Sequence, residues 1–531
     1  MTRVSRRAFS SGLLTAAFAG KTGLAQETPK RGGTLVATWG GGEPQACYVP
    51  AGGGPSPTFS SSKLLERLAS RRMDGEFQGE LAEAWKPAAD FKSYTIKIRK
   101  GVTFHDGKEM TADDVVYSID EIWKKHAAAA SLVEFAGVIT SDADTVVVRF
   151  SKPVPEFSFA SLLSGGVNYI VPKHIYAGSD PAGNPANDAP VGTGPWRFKQ
   201  WVRGSHFEYV RNDAYWRRDE PYLDRLIIRY VRDPAGRAAA IEAGDIHIGV
   251  LNPVEPADIK RLAATTKFVA TSKGYEDAVW STSFEVNMRN PIFAKREVRQ
   301  AMFFAVDRNL IAKTAYFGYA RPGTGPIPST NSAFFSSDIF STAFDPKKAS
   351  ALLDAAGYPK KAGGKRFTLN LVAAGWFAEN GKVGAIVKQG LEDVGVGINL
   401  AVPDRATSIK RLYTDYDFDL AISNKLVAAE PVPSTTQYYV TDGIRKGVPF
   451  RNASGFHTDE VDALVERIKV ETDPGKRKAL VAEFQKIATT ECADLPLVEL
   501  ESITVASTRV RNHSNDPAYL AASWHDIWLA G

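Results

Sequence analysis

Residues Leu81 to Asp120 read LAEAWKPAADFKSYTIKIRKGVTFHDGKEMTADDVVYSID, and this stretch decides the fold. Tyr94, Ile96 and Ile98 alternate with Thr95, Lys97 and Arg99, the period of a half-buried strand. Asp106-Gly107 is a tight-turn dipeptide, because glycine tolerates a positive φ. Thr111-Ala112-Asp113-Asp114 predicts a helix start: the hydroxyl caps orphan N–H groups and the acids suit the positive end of the dipole. Val115, Ile119 and Ile122 then share one helical face. Taken singly, each piece is an ordinary strand, turn or capped helix.

Assembled, the string LAE-W…YTIKIRKGVTFHDGK…TADDVVYSI resembles the signature of the family 5 extracellular solute-binding proteins. These deliver peptides, nickel complexes, opines or sugars to ABC importers. RGGTLVATWGGGEPQ, the GTGPW.F..W run from Gly192 and FEVNMRNPIFAKREVRQAMFFAVDRNLI extend the likeness from about Arg31 to the closing tryptophans. The resemblance implies an α/β, two-lobed periplasmic binding protein fold (type II, cluster C-like) with an extra subdomain in the first lobe. Lobe I is expected at 26–54, 190–285 and 499–531, the subdomain at 55–189 and lobe II at 286–498. The ligand is expected in the cleft between closing lobes, with ABC permease subunits as partners, no cofactor, and a monomeric binding protein.

Working outward, 531 residues exceed one typical core and predict two or three domains. Arg3, Arg6, Arg7 and Lys21 supply most of the net charge of +5; without the first 25 residues, 61 basic face 60 acidic side chains. That balance gives a nucleic-acid role no electrostatic support. Ser5-Arg6-Arg7-Ala8-Phe9, the short apolar run Gly12–Gly20 and Gly23-Leu24-Ala25 resemble a twin-arginine export signal, so the expected product is soluble and periplasmic after cleavage near Ala25. Cys47 and Cys492 have no partner at metal or redox spacing and read as two unrelated buried thiols, with one disulfide as the alternative.

Several local expectations follow. Gly52–Ser62, rich in Gly, Ser and Pro, reads as a connection, and Lys63–Leu68 as a short helix. Gly192-Thr193-Gly194 lacks the continuation of a phosphate loop. Phe367–Val372, Ala378–Val394 and Val396–Val402 form a β-α-β unit, hence a parallel pair. Leu497–Val505 reads as one strand crossing back to the first lobe.

No G-x-S-x-G, H-E-x-x-H, Walker loop or Cys-x-x-Cys occurs, so no metal site or catalytic residue is expected. His105 beside Asp106 reads as a solvated or structural histidine. Ligands of parallel sheets bind beyond the carboxyl ends of the strands. That rule points to Trp376, to Arg405, and to Asn424 and Lys425 after a strand expected to end at Ile422. Peptide-binding relatives carry a Gly-Trp pair and an amine-binding Asp there; here Asn424 or Lys425 replaces the aromatic, and Val427 or Ala428 the carboxylate. A cation in a closed pocket needs an anion, so either the ligand carries one near Lys425 or Arg405, or these side chains reach solvent. Glu430 is the substitute candidate for holding an amine. Glu43 lies in a loop that the resemblance puts at the cleft; a plain surface loop is the other reading. Two function classes stay open: a binding protein for peptides or peptide-like solutes (or a nickel complex, opine or oligosaccharide), and a periplasmic enzyme or chaperone on the same scaffold.

Overall fold

The computed structural model describes residues 27–50 and 54–531, so the expected export signal lies outside the described residues. Among the described residues the strands form a seven-stranded, a six-stranded and a four-stranded sheet, with two short pairs besides. Two lobes of mixed α/β structure result.

The opening stretch builds the four-stranded sheet. Ser93–Ile98 pairs antiparallel with Ala82–Pro87 on one side and Thr145–Phe150 on the other. Tyr94, Ile96 and Ile98 are buried as their alternation requires. Tyr94 stacks on Phe159 at 3.7 Å between ring centroids, and its hydroxyl donates to Val154 O at 2.7 Å. Gly107, with φ of 86°, makes the turn. Thr111 starts the Ala112–Tyr117 helix, its N–H and Oγ1 both donating to Asp114 Oδ2 at 2.8 and 2.9 Å. Val115, Ile119 and Ile122 are buried in a core continuous with Leu35, Trp196 and Tyr209 of the seven-stranded sheet. The subdomain therefore shares its apolar core with the rest of the first lobe.

Two local expectations are corrected. The Gly/Ser/Pro-rich connection contains the helix Pro55–Ser61, in which Ser60 and Ser61 hydroxyls donate to Pro57 O. Lys63–Leu68 is an irregular, fully buried segment and not a helix. Apolar residues at 64, 65 and 68 mimic helical spacing, but here every face is covered. Leu64 O accepts the Gly194 N–H at 2.9 Å, and a Cβ on Gly192 or Gly194 would meet that oxygen at 2.0 or 2.7 Å. Close approach of two backbones, not phosphate binding, explains this Gly-x-Gly. His105 clamps the same loop: its Nδ1 accepts from Gly192 N–H at 3.2 Å and its Nε2 donates to Gly194 O at 3.0 Å. Burial pushes the imidazole down to about 4, so it is a neutral structural histidine.

Glu66 lies inside this junction and accepts from Thr193 Oγ1 and Tyr215 OH at 2.8 Å, and from Trp216 Nε1 at 3.1 Å. Burial, then the Glu80 charge, outweigh these donors and push its carboxyl up to about 7. A folded value above the unfolded one gives stability that is complete below the unfolded pKa and lost as pH rises through about 7. Glu66→Gln is expected to flatten the fall in melting temperature between pH 5 and 7.5, an effect on the order of 3 kcal/mol; parallel melting curves for variant and parent would refute the assignment.

The six-stranded sheet runs Ala320–Pro322, Asp494–Leu500, Ala278–Val286, Leu420–Ala428, Phe367–Ala373, Val396–Ala401. The last two are the expected parallel pair, joined by the helix Glu379–Asp393. Helices Arg296–Phe304 and Pro346–Ala355 pack below it, burying Val298, Ala301, Met302, Ala349 and Leu353. Ala278–Val286 sits centrally in this sheet, although the boundary expected at 285 put it in the first lobe. The expected single strand Leu497–Val505 is two: Asp494–Leu500 belongs to the second sheet and Thr504–Ser507 to the first. Residues 272–277 and 501–503 thus carry the chain between sheets. The second crossing is pinned where Asn252 Oδ1 accepts Ile503 N–H at 2.7 Å and Ile503 O accepts Asn252 N–H at 2.9 Å. Cys47 and Cys492 are free, each buried in a different core, and burial pushes both thiols up to about 12.

Candidate functional site

A cavity of about 700 Å³ opens between the lobes. The subdomain contributes Phe77, Leu132 and Leu162; the crossing segment, Tyr275 and Asp277; the second lobe, Trp280, Leu426 and Phe450; the C-terminal region, Tyr519 and Leu520. The volume suits a small-molecule or short-peptide site, and its mostly apolar wall with few polar groups is the usual composition of one.

Two polar contacts border the cavity. Arg71 Nη1 donates to Asp277 Oδ1 at 3.0 Å, while its guanidinium lies 5.7 Å from the Phe157 ring. Burial raises the Asp277 carboxyl and the Arg71 charge opposes that rise. Ser158 Oγ, from the subdomain, donates to Glu430 Oε2 at 2.8 Å in the second lobe. Phe157 meets Phe334 edge-on at 5.0 Å beside this contact.

The residues expected from sequence fall around the cavity more than in it. Glu430 alone among them lines it. Its carboxylate is already committed: Arg477 donates at 2.8 and 3.2 Å, Ser158 at 2.8 Å and the Val432 N–H at 3.0 Å. That leaves no oxygen for an amine without breaking an internal ion pair.

Lys425 is corrected from ligand contact to core. Its ammonium pairs with Asp494 Oδ2, stands 3.6 Å from Glu285 Oε1 and lies 4.3 Å over the Tyr438 ring, beside a separate void of about 20 Å³. Its charge is met internally. Asn424 is buried, accepting from Asn380 Nδ2 at 2.7 Å and donating to Thr282 Oγ1 at 3.0 Å. The cause is strand length. Leu420–Ala428 pairs along its whole length with Ala278–Val286, so it ends six residues beyond Ile422. From this strand it is Leu426 and Ala428, with Ala429 after it, that line the cavity, and not 424 and 425.

Trp376 and Arg405 sit behind the cavity wall. Trp376 packs edge-on against Phe450 at 5.5 Å, and the exposed Arg405 guanidinium lies 6.0 Å from the same ring. Arg405 reaches solvent and needs no ligand anion. Glu43 does not line the cavity; it accepts from Trp201 Nε1 at 2.7 Å and from Gly204 N–H at 2.9 Å, fixing its loop on the Trp196–Val202 and His206–Arg211 hairpin. Sequence reasoning missed Arg71, Asp277, Phe450 and Arg451, which lie in loops and segment ends without periodicity. Among the described residues no group of three or more His, Cys, Asp or Glu side chains is placed to hold a metal ion. Nor is any helix among them long and apolar enough to cross a membrane.

The sequence pattern of the bacterial extracellular solute-binding proteins, family 5, matches residues 76–447. The chain belongs to that family. This family 5 protein is 26% identical over 432 residues to the oligopeptide-binding protein AppA of Bacillus subtilis, covering 78% of this chain and 76% of AppA. It is 26% identical over 380 residues to the glutathione-binding protein GsiB of Pectobacterium atrosepticum, covering 68% of this chain and 71% of GsiB. The family 5 fold superposes on NikA of Brucella suis, solved with Fe(III)-EDTA, with a TM-score of 0.80 at 22% identity, covering 94% of this chain and all of NikA.

Proposed function

We propose that this protein is the substrate-binding component of an ABC importer, capturing a peptide or peptide-like solute between its lobes and delivering it to the membrane permease as a monomer. The observation that carries this reading is the mainly apolar cavity walled by both lobes and by the segments joining them. Oligopeptide- and glutathione-binding relatives support the ligand class. The family is one of binding proteins, so capture and release of an unchanged solute is the expected chemistry. Mass spectrometry of small molecules released from protein purified from its host, followed by thermal-shift titration, tests it. A peptide-like molecule that rebinds unchanged supports the reading; turnover of the bound molecule overturns it.

The site of action follows from the N-terminal sequence. Export by the twin-arginine route, with cleavage near Ala25, delivers the folded protein to the periplasm. Arg6→Lys with Arg7→Lys is expected to hold the precursor in the cytoplasm, measured by cell fractionation. Undiminished periplasmic protein counts against that route.

A further inference from the structure

The cleft is electrically unbalanced at one residue. Four formally charged side chains line the cavity: Arg71, Asp277, Glu430 and Arg451. Arg71 and Asp277 neutralise each other at 3.0 Å, and Arg477 neutralises Glu430 at 2.8 Å. His126 also lines the wall, but burial holds its imidazole below its usual range, so it is neutral at pH 7. Arg451 remains. Its Nη1 donates to Gln437 Oε1 at 2.5 Å, a neutral acceptor, and no carboxylate pairs with it among the described residues. The residues outside that set, 1–26 and 51–53, contain no Asp or Glu.

Arg451 also marks a junction. A second void of about 220 Å³ shares Leu132, Val432, Gln437 and Arg451 with the main cavity. Its other charges are matched: Lys152 with Glu134 at 2.7 Å, Arg445 with Asp442 at 2.8 Å, Lys469 with Glu466 at 2.5 Å. A guanidinium offers several planar donors and cannot give up its proton. Enclosing it against a ligand therefore favours an anionic partner. The same accounting leaves nothing for an ammonium group, because both lining carboxylates are already paired.

We propose that the ligand carries a single carboxylate, held by Arg451, on an apolar body without a free ammonium group: an N-blocked or otherwise amine-free acid. This rests on the binding-protein reading above and narrows its ligand class. The shared chemistry fits an N-acylated peptide and a non-peptide acid alike, and the test separates them. Calorimetry on the full mature protein would use N-acetyl-leucyl-phenylalanine, its C-terminal amide, zwitterionic leucyl-phenylalanine, and 4-phenylbutyric acid with its amide.

The acid that binds is expected to exceed its own amide by roughly tenfold to a hundredfold, the range of a charge-assisted hydrogen bond. Arg451→Gln should erase that preference while Arg451→Lys retains part of it, a split that misfolding cannot produce. Binding of 4-phenylbutyric acid alone would sink the peptide class and leave the carboxylate assignment standing. Equal binding of acid and amide, tighter binding of the zwitterion than of its acetylated form, or an acid preference surviving in Arg451→Gln overturns the assignment while leaving peptide capture intact. Binding of neither acid overturns the assignment, and binding of neither acid nor of the zwitterion overturns both.

Discussion

Replacing Lys425 by alanine is expected to destabilise the protein by about 3–5 kcal/mol and to leave the ligand affinity of the folded fraction unchanged. The ammonium lies between Asp494 and Glu285, which are 2% and 1% exposed. Removing it leaves two carboxylates facing each other in the core. Even beside the lysine, burial pushes the Asp494 carboxyl up to about 7. Without the cation that carboxyl should rise further, and a raised folded value means stability regained as pH falls. The defect should therefore be larger at pH 8 than at pH 5, read from denaturant unfolding followed by tryptophan fluorescence. Lys425→Met combined with Asp494→Asn and Glu285→Gln should recover much of the loss, since buried charges neutralised together are often near neutral. A variant that unfolds like the parent but has lost its ligand would place Lys425 in the site after all.

The contrast between fold and site in the sequence is physical. The stretch from Leu81 to Asp120 was legible because its instructions are local: alternation at Tyr94, Ile96 and Ile98, a turn glycine at 107, and a cap at Thr111 whose partner is three residues away. Asp345 caps the Pro346–Ala355 helix in the same local way, accepting Lys348 N–H at 2.9 Å. Lys63–Leu68 misled for the converse reason. Its backbone partners, such as Gly194 and Ile170, are more than a hundred residues away and no window reveals them.

The cavity is harder still, because Arg71, Asp277, Phe450 and Tyr519 meet only through tertiary packing. Lys425 was singled out by counting from a strand end, and an end set by non-local pairing cannot be counted from sequence. One usable signal was parity. In a strand running through 428, residues 424, 426 and 428 share a face, and lysine at 425 takes the opposite one. That face leads to Asp494, two strands over in the same sheet, and not to the cleft.

Glu430→Ala is expected to cost a similar 3–5 kcal/mol, because it strands the Arg477 guanidinium, only 2% exposed, without its carboxylate. Arg477 keeps its Nε donation to Ile468 O at 3.0 Å and its place 5.2 Å from the Phe334 ring, but neither supplies a counter-charge. Glu430→Ala with Arg477→Met should restore most of the stability, and this double variant separates two roles for Glu430. If the carboxylate held a ligand amine, the rescued protein would fold but lose binding of free-amine ligands selectively.

The geometry predicts another outcome. Ser158 Oγ donates to Glu430 across the cleft at 2.8 Å, so that contact exists only while the subdomain and second lobe touch. Ser158→Ala removes a hydrogen bond to a charged group, worth about 1.5–3 kcal/mol, from the closed form alone. The loss should therefore appear as roughly tenfold weaker binding of any enclosed ligand, whatever its charge. Calorimetry on Ser158→Ala, with an acid and its amide weakened by the same factor, is the expected result. A selective effect on ligands bearing an ammonium group would return Glu430 to the binding site.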